Sequence, residues 1–318
     1  NMFNPEQFLR NLSERQEKRK TLNNKEYLQE LSIKAQEMNN INRIDPRQFI
    51  NLYGRDAVIA DLRWVKSRQA YFRTHDSETE TWHKQVADIL EAILHEQIEQ
   101  NDYFGENVWT IKTCDYDDYR NHIDSLLEIR HPEPRFANYS GLALDVTSAS
   151  RLEALAKKIE RIFNHIKRGQ LAKIKYFQSD FLNIRGEKSN IPLFVVGCDV
   201  HHTEELAKLW GDGRARILAE HPIQIALLYQ ITRQAQIYWD YAKRNNQKEV
   251  ADQYEEILKE FEAITQERQT IITDIKNRPE SKEFLQTDIM LNNLEKILSE
   301  YDKYYQRPRS TTFYSRGK

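Results

Sequence analysis

Asp124 and Asp145 are the residues of this chain best suited to chemistry. Each lies in a short apolar segment that reads as a β-strand: Asn-His-Ile-Asp124-Ser-Leu-Leu-Glu-Ile and Gly-Leu-Ala-Leu-Asp145-Val. Acidic side chains on neighbouring strands can converge on one divalent cation, because Mg²⁺ and Mn²⁺ take hard oxygen ligands. Such an ion acidifies a bound water and offsets charge building on a phosphate. A third carboxylate often comes from the helix before the strands. Glu78 shares a helical stripe with Trp82, Val86 and Ile93, which directs it toward a sheet, whereas Glu80 and Glu91 fall on the opposite side and Glu96 is a borderline second choice. The expected metal set is therefore Glu78, Asp124 and Asp145, holding Mg²⁺ or Mn²⁺. The plainer reading makes the two aspartates turn-capping acids at strand ends, and Glu78 a first-turn acid favoured by the helix dipole.

This constellation resembles the PD-(D/E)XK nuclease superfamily, in which one strand bears an Asp and the next ends in Asp or Glu, any residue, then Lys. The likeness extends to the following helix, to Lys-Ile-Lys-Tyr-Phe (173–177) and to Ile-Pro-Leu-Phe-Val-Val-Gly (191–197). The chain looks most like uncharacterised bacterial proteins with a D…LAxDVT…KxKYF run, over about 120 residues. The resemblance implies a restriction-endonuclease-like mixed sheet, hydrolysis of phosphodiester bonds, and DNA or RNA as partner. One position departs from the pattern: Thr147 stands where the superfamily has its lysine. That lysine orients the attacking water and offsets negative charge in the transition state. Lys157 or Lys158, on the helix after the motif, could reach back to replace it; otherwise both belong to a solvated helix face, and Thr147 is a β-former ahead of a helix capped by Ser148 or Ser150. The alternative function is a nuclease-like module that binds nucleic acid or protein without cutting.

Three further groups carry weaker signals. His201-His202 after Asp199 hints at a metal pair, but adjacent histidines diverge, and a surface role is expected. Asp115, Asp117 and Asp118 form an acidic loop that could feed the same cation as Asp124 and Asp145, though they read first as a solvated turn. Tyr238, Trp239 and Tyr241 read as helix packing, not as a base-stacking platform.

The elements that must position these groups follow from hydrophobic periodicity. Asp76 to Gln100 is the clearest helix of the first half, with Trp82, Val86, Ile89, Leu90, Ile93 and Gln97 on one stripe. Strands are expected over 107–114, 122–129, 141–146, 173–177 and 191–196, the last apolar throughout, as suits a strand covered on both faces. A helix over 151–167 lies between the third and fourth strands, so a parallel pair is expected there. Thr203 is expected to cap a short helix after the fifth. Before this α/β core (76–221), residues 1–75 read as helices with a thin apolar stripe, partly mobile or docked late. After it, 222–306 read as two or three long antiparallel helices, a hairpin or bundle that could also pair copies of the chain, and 307–318 as a disordered basic tail.

Bulk composition narrows the classes. Of 318 residues, 39% are hydrophobic and 30% charged, which suits one substantial core with much solvated helix surface, and only 9 Gly and 8 Pro make turns scarce. No apolar run approaches the ~18 residues of a membrane span. Cys114 and Cys198 cannot make a disulfide framework or a zinc set by themselves, and the opening residues lack a secretory pattern, so a reduced, cytoplasmic setting is expected. A net charge of −2 means that any nucleic-acid contact must come from a local basic patch.

Overall fold

Alternation of short, doubly buried apolar segments with amphipathic helices builds a mixed α/β fold. The computed structural model describes residues 24–130, 140–148, 151–179 and 181–306. Expectations for residues 1–23, for Ser150 and for the tail 307–318 lie outside these.

Strands β1 (Val108–Lys112), β2 (Ser125–Ile129), β3 (Ser140–Thr147) and β6 (Leu193–Gly197) form one sheet in the order β1-β2-β3-β6. The first two pairings are antiparallel and β3–β6 is parallel. The parallel partner of β3 is thus the fifth expected strand and not the fourth. The fourth, β4 (Ala172–Gln178), instead forms a separate antiparallel hairpin with β5 (Arg185–Ile191). Burial explains the exchange. In β4 alternate residues are buried and open, the pattern of a strand covered on one face, whereas Leu193 to Val196 are buried on both faces and fit inside the main sheet. No expectation covered β5, whose Arg-Gly-Glu-Lys-Ser-Asn-Ile sequence has no apolar alternation.

Before the sheet come α1 (Asn24–Asn42), a 3₁₀ turn (Pro46–Phe49), α2 (Ile50–Tyr53), α3 (Arg55–His75) and α4 (Glu78–Asn101). Asp45 caps the 3₁₀ turn and Pro46 opens it; Ser77 and Glu80 form a reciprocal capping box at the start of α4. α1 is docked, with Leu28, Leu31 and Ala35 buried in the main core. Short α5 (Asp115–Asn121) joins β1 to β2, and α6 (Leu152–Lys167) follows β3. After β6 come α7 (Val200–Gly211), capped by Asp199 where Thr203 was expected, and the short α8 (Ala215–Ala219).

The C-terminal segment is more broken than expected: α9 (Ile223–Arg244), α10 (Lys248–Glu267), α11 (Gln269–Lys276), α12 (Pro279–Thr287) and α13 (Ile289–Gln306). Pro279 opens α12, and Asp288 separates α12 from α13. Apolar residues of α1, the sheet and α9 to α13 share one continuous core, so these helices cover their apolar faces within the chain. None of the helices among the described residues is long and apolar enough to cross a membrane.

β6 ends the hydrogen-bonded order of the main sheet, yet its outer backbone is not bare. Gln230 and Gln234, one turn apart on α9, bond to it through both ends of their amides. Gln234 Oε1 accepts from Val195 N–H (3.0 Å) and its Nε2 donates to Val195 C=O (2.8 Å). Gln230 does the same at Gly197 (2.9 and 2.8 Å). Two buried glutamines thus do the work of a fifth strand, which closes an edge that would otherwise recruit another chain. Gln234→Leu, similar in volume but unable to bond, should cost about 2–3 kcal/mol by leaving the Val195 N–H and C=O buried and unpaired. Urea unfolding measures it; a loss near zero would mean that water reaches the edge.

Candidate active site

Asp124 immediately precedes β2 and continues its ladder: its N–H donates to Leu144 C=O (2.9 Å), and its Oδ2 accepts from Val146 N–H (2.6 Å). The β2–β3 register, which pairs Ser125 with Leu144, carries Asp124 opposite Asp145. The two expected acids are cross-strand neighbours, and both are buried. Burial and then neighbouring charges, Asp145 among them, push the Asp124 carboxyl up, and both acids hold Lys158 in its charged form against burial.

Asp145 is clamped from α6. Lys158 Nζ contacts its Oδ1, and Arg161 Nη2 donates to its Oδ2 at 2.8 Å. Of the two lysines offered as substitutes for the motif lysine, Lys158 therefore reaches the site, while Lys157 is exposed. Thr147 is buried in the parallel ladder opposite Gly197, where the strands approach so closely that a Cβ on Gly197 would stand 1.9 Å from the Thr147 carbonyl oxygen.

Glu78 is not part of this group. It stands exposed at the first position of α4, and the helix becomes fully buried only from about Ile89. Glu91, thirteen residues further on or about 20 Å along the axis, is the α4 carboxylate that meets the site. A single-stripe reading puts Glu91 on the outer face, but that face meets β1 through Lys112, and α1 packs against the same helix, so Ile89 to Leu94 are buried all round. Lys112 of β1, 1% exposed, ion-pairs with Glu91. Glu96 turns elsewhere and accepts from Trp210 Nε1 (3.1 Å).

Of the acids read as a turn, Asp115 and Asp118 join the network. They lie in the first turn of α5, where the helix dipole favours them. Asp118 comes within hydrogen-bonding reach of Asp124, and Arg43 bonds both Asp118 (3.3 Å) and Asp115. Asp117 instead holds β4, accepting from the N–H groups of Lys175 (2.8 Å) and Tyr176 (3.0 Å).

Carboxylates crowd here. Glu91, Asp118, Asp124 and Asp145 share the region with Arg43, Lys112, Lys158 and Arg161. Burial, then the Glu91 charge, pushes Asp118 up to about 6. Burial and the charges of Glu91, Asp118 and Asp145 push Asp124 well above the carboxylate range. Two carboxyls in contact need a proton between them, and a divalent cation is the natural replacement for that proton. The donor set is all oxygen and hard. That chemistry suits Mg²⁺ or Mn²⁺. Asp124, Asp145 and Glu91 do not, however, bring three donor atoms within 4.8 Å of one another, and Lys158 and Arg161 hold both Asp145 oxygens, so these side chains would have to move to hold an ion. Solvent reaches the group at Asp118, Lys158 and Arg161, which keep 21%, 30% and 27% of their side-chain surface, and a cavity of about 360 Å³ borders Lys112 from the β1 side.

The raised Asp118 has a sign that can be checked. A carboxyl whose folded pKa lies above its unfolded value stabilises the fold at low pH, and that contribution is lost as pH rises, here between about 4 and about 6. Asp118→Asn, which cannot lose a proton, should remove this dependence and be more stable than wild type above pH 6, by roughly 1–2 kcal/mol. Melting temperature against pH reads it; parallel curves for the two proteins would contradict it.

The network contains residues that sequence reasoning missed: Glu91, Lys112, Arg43 and Arg161, with Asp118 set aside as a turn. A signal existed for two. Glu91 is the sole charge in Ile-Leu-Glu-Ala-Ile-Leu, and Lys112 ends the apolar Val-Trp-Thr-Ile of β1. Nothing local marks Arg43. Tyr238 and Tyr241 are buried packing residues and Trp239 is half-buried against them, as expected. The histidine pair diverges: His201 is exposed, but His202 is buried against Asp199, contrary to the expected surface role. Comparison with protein-family models, with curated proteins and with solved structures returned no match.

Proposed function

We propose that the chain is a metal-dependent phosphodiesterase acting on nucleic acid, with a PD-(D/E)XK-like core. The observation that carries this reading is the buried Asp124–Asp145 pair at the head of a basic track on α6. Lys158, Arg161, His165 and Arg168 follow one another at steps of three and four, with no acid among them. Burial first, then the cations of Arg161 and Arg168, depresses the basicity of His165. An anionic backbone laid along this stripe would bring a phosphate to Lys158 and Asp145, which reconciles nucleic-acid binding with a net charge of −2. In support, the order of elements resembles this superfamily in part: a helix with Glu91, three antiparallel strands with Asp124 just before the second and Asp145 in the third, and a helix, although the separate β4–β5 hairpin comes before the parallel strand β6.

When bound, the cation would acidify a water and neutralise charge on the phosphate. The remaining work falls to the chain. Asp124 and Asp145 would hold the ion, with Glu91 closing on it from α4 once the ion draws the three together. Lys158 would supply the positive charge that Thr147 cannot, and Arg161, freed from Asp145, would orient a phosphate oxygen. Asp118, at the solvent edge, would take up or release the proton that the ion displaces.

A second reading, binding without cleavage, draws on the engagement of both Asp145 oxygens by Lys158 and Arg161. One assay separates the two. The protein is incubated with single- and double-stranded DNA and RNA in Mg²⁺ or Mn²⁺, with chelator as control. The hydrolytic reading expects cleavage that chelator stops. Salt-sensitive binding with no cleavage under any ion would leave the binding module.

A further inference from the structure

A second cluster lies just beyond β6, where the N-termini of α7 and α13 meet. Asp199 caps α7, accepting at Oδ1 from His202 N–H (2.9 Å), and its Oδ2 accepts from Ile289 N–H (2.8 Å) at the start of α13. Asp288 caps α13 with Oδ1, which accepts from Leu291 N–H (2.8 Å). Its other oxygen, Oδ2, is wholly buried and makes no well-formed hydrogen bond, although the Asp199 N–H acts on the carboxyl, which burial raises to about 6. A buried carboxylate oxygen without such a bond is costly, so its surroundings ask for a positive charge.

The tautomer of His202 says where that charge belongs. The Thr287 hydroxyl donates its one proton to Glu283 C=O (2.8 Å), so its contact with His202 Nε2 (3.2 Å) requires Nε2–H as donor. Nδ1 then faces Asp199 Oδ1 at 3.0 Å. A neutral ring would set its lone pair against a carboxylate there, and a cation between them is required. A proton on Nδ1 meets that need for Asp199 but leaves Asp288 Oδ2 alone. One ion reached by all three would satisfy both. Among the described residues this is the one trio of such side chains whose donor atoms all lie within 4.8 Å of one another.

We infer that Asp199, His202 and Asp288 form a site for a transition-metal ion of the Zn²⁺ type, separate from the strand acids. One imidazole nitrogen and two carboxylate oxygens are a donor set that Zn²⁺ accepts and that Mg²⁺, which prefers oxygen alone, does not favour. Tetrahedral zinc ligands stand roughly 3.5 Å apart, so the side chains need close by little. Thr287 plays the outer part usual for a ligating histidine, taking the N–H of the far nitrogen and fixing the ring, and Phe284 packs edge-on to the ring at 4.6 Å. The fourth position has somewhere to open. His202 and Thr287 form part of the wall of a cavity of about 630 Å³, which Arg216, Arg278 and His221 also line. A water or a small anionic ligand from that cavity would complete the coordination.

The test is equilibrium dialysis of the full chain against Zn²⁺ after chelator treatment, with melting temperature in parallel. Asp288→Asn retains an oxygen to cap Leu291 and removes one ligand charge, so the fold should persist, and the metal-free variant should melt no lower than wild type. The inference expects one tightly bound Zn²⁺ in wild type and in Asp145→Asn, at least a 100-fold weaker affinity in Asp288→Asn, and a Zn²⁺-induced rise in melting temperature that this variant lacks. It is overturned if wild type takes up no stoichiometric Zn²⁺, if Asp288→Asn binds as wild type does, or if Asp145→Asn loses the ion instead. The last result would move the ion to the strand acids and would leave the phosphodiesterase reading standing.

Discussion

Asp145→Asn should abolish divalent-dependent cleavage and leave the chain folded. Asn keeps the size of the side chain and one oxygen for Lys158 or Arg161, but it removes the negative charge that would hold the cation. Loss of one preorganised electrostatic group at a phosphate-cleaving centre costs on the order of 10²–10³ in rate, or ~3–4 kcal/mol of barrier. Stability should move far less. Lys158 and Arg161 keep 30% and 27% of their side-chain surface, so once released from Asp145 they can hydrate. The measurement pairs a cleavage rate in saturating Mn²⁺ with a urea melt of the same preparation. A variant that unfolds with wild-type stability and cuts at the wild-type rate would remove Asp145 from the chemistry altogether.

The second large effect concerns stability. Glu91→Ala should destabilise the fold by about 3–5 kcal/mol, because it strands an ammonium that is only 1% exposed. Lys112 has no route to solvent comparable to that of Lys158, and its charge would have to be neutralised or the β1–α4 contact opened. Glu91→Leu combined with Lys112→Met should be milder than the single change, since a buried ion pair can be replaced by apolar groups of similar size at little cost. Denaturant midpoints of the three proteins form the test, and a double variant no more stable than Glu91→Ala would mean that the pair is not coupled. Cleavage is a useful second readout on the double variant. If Glu91 helps hold the cation, activity should fall even where stability is recovered.

Much of the α/β organisation was legible because it is local. Short apolar runs bounded by polar turns marked four of the main strands or their close neighbours, and a long amphipathic stretch marked α6. Pairing was less legible. Which strand lies parallel to β3 depends on burial of both faces of Leu193 to Val196, and the hairpin of β4 with polar β5 rests on tertiary contacts with the N-terminal helices. The aspartate pair was readable, since both acids interrupt apolar runs. The helix acid was not, because Glu91 lies off the apolar stripe and yet is buried against Lys112 of β1, with α1 also packed on α4. A periodicity argument assumes one wet face, and here that assumption failed. Likewise Asp199 was visible next to two histidines, but Asp288, nearly ninety residues later, is joined to it only by the meeting of two helix ends.

The central claim is that Asp124 and Asp145 share one divalent cation. Crystals soaked in Mn²⁺ and measured at the manganese absorption edge test it most directly. The account predicts an anomalous peak between the two carboxylates, with Lys158 and Arg161 displaced from Asp145. Crystals that hold manganese elsewhere or nowhere, with the Asp145 clamp intact, would contradict it.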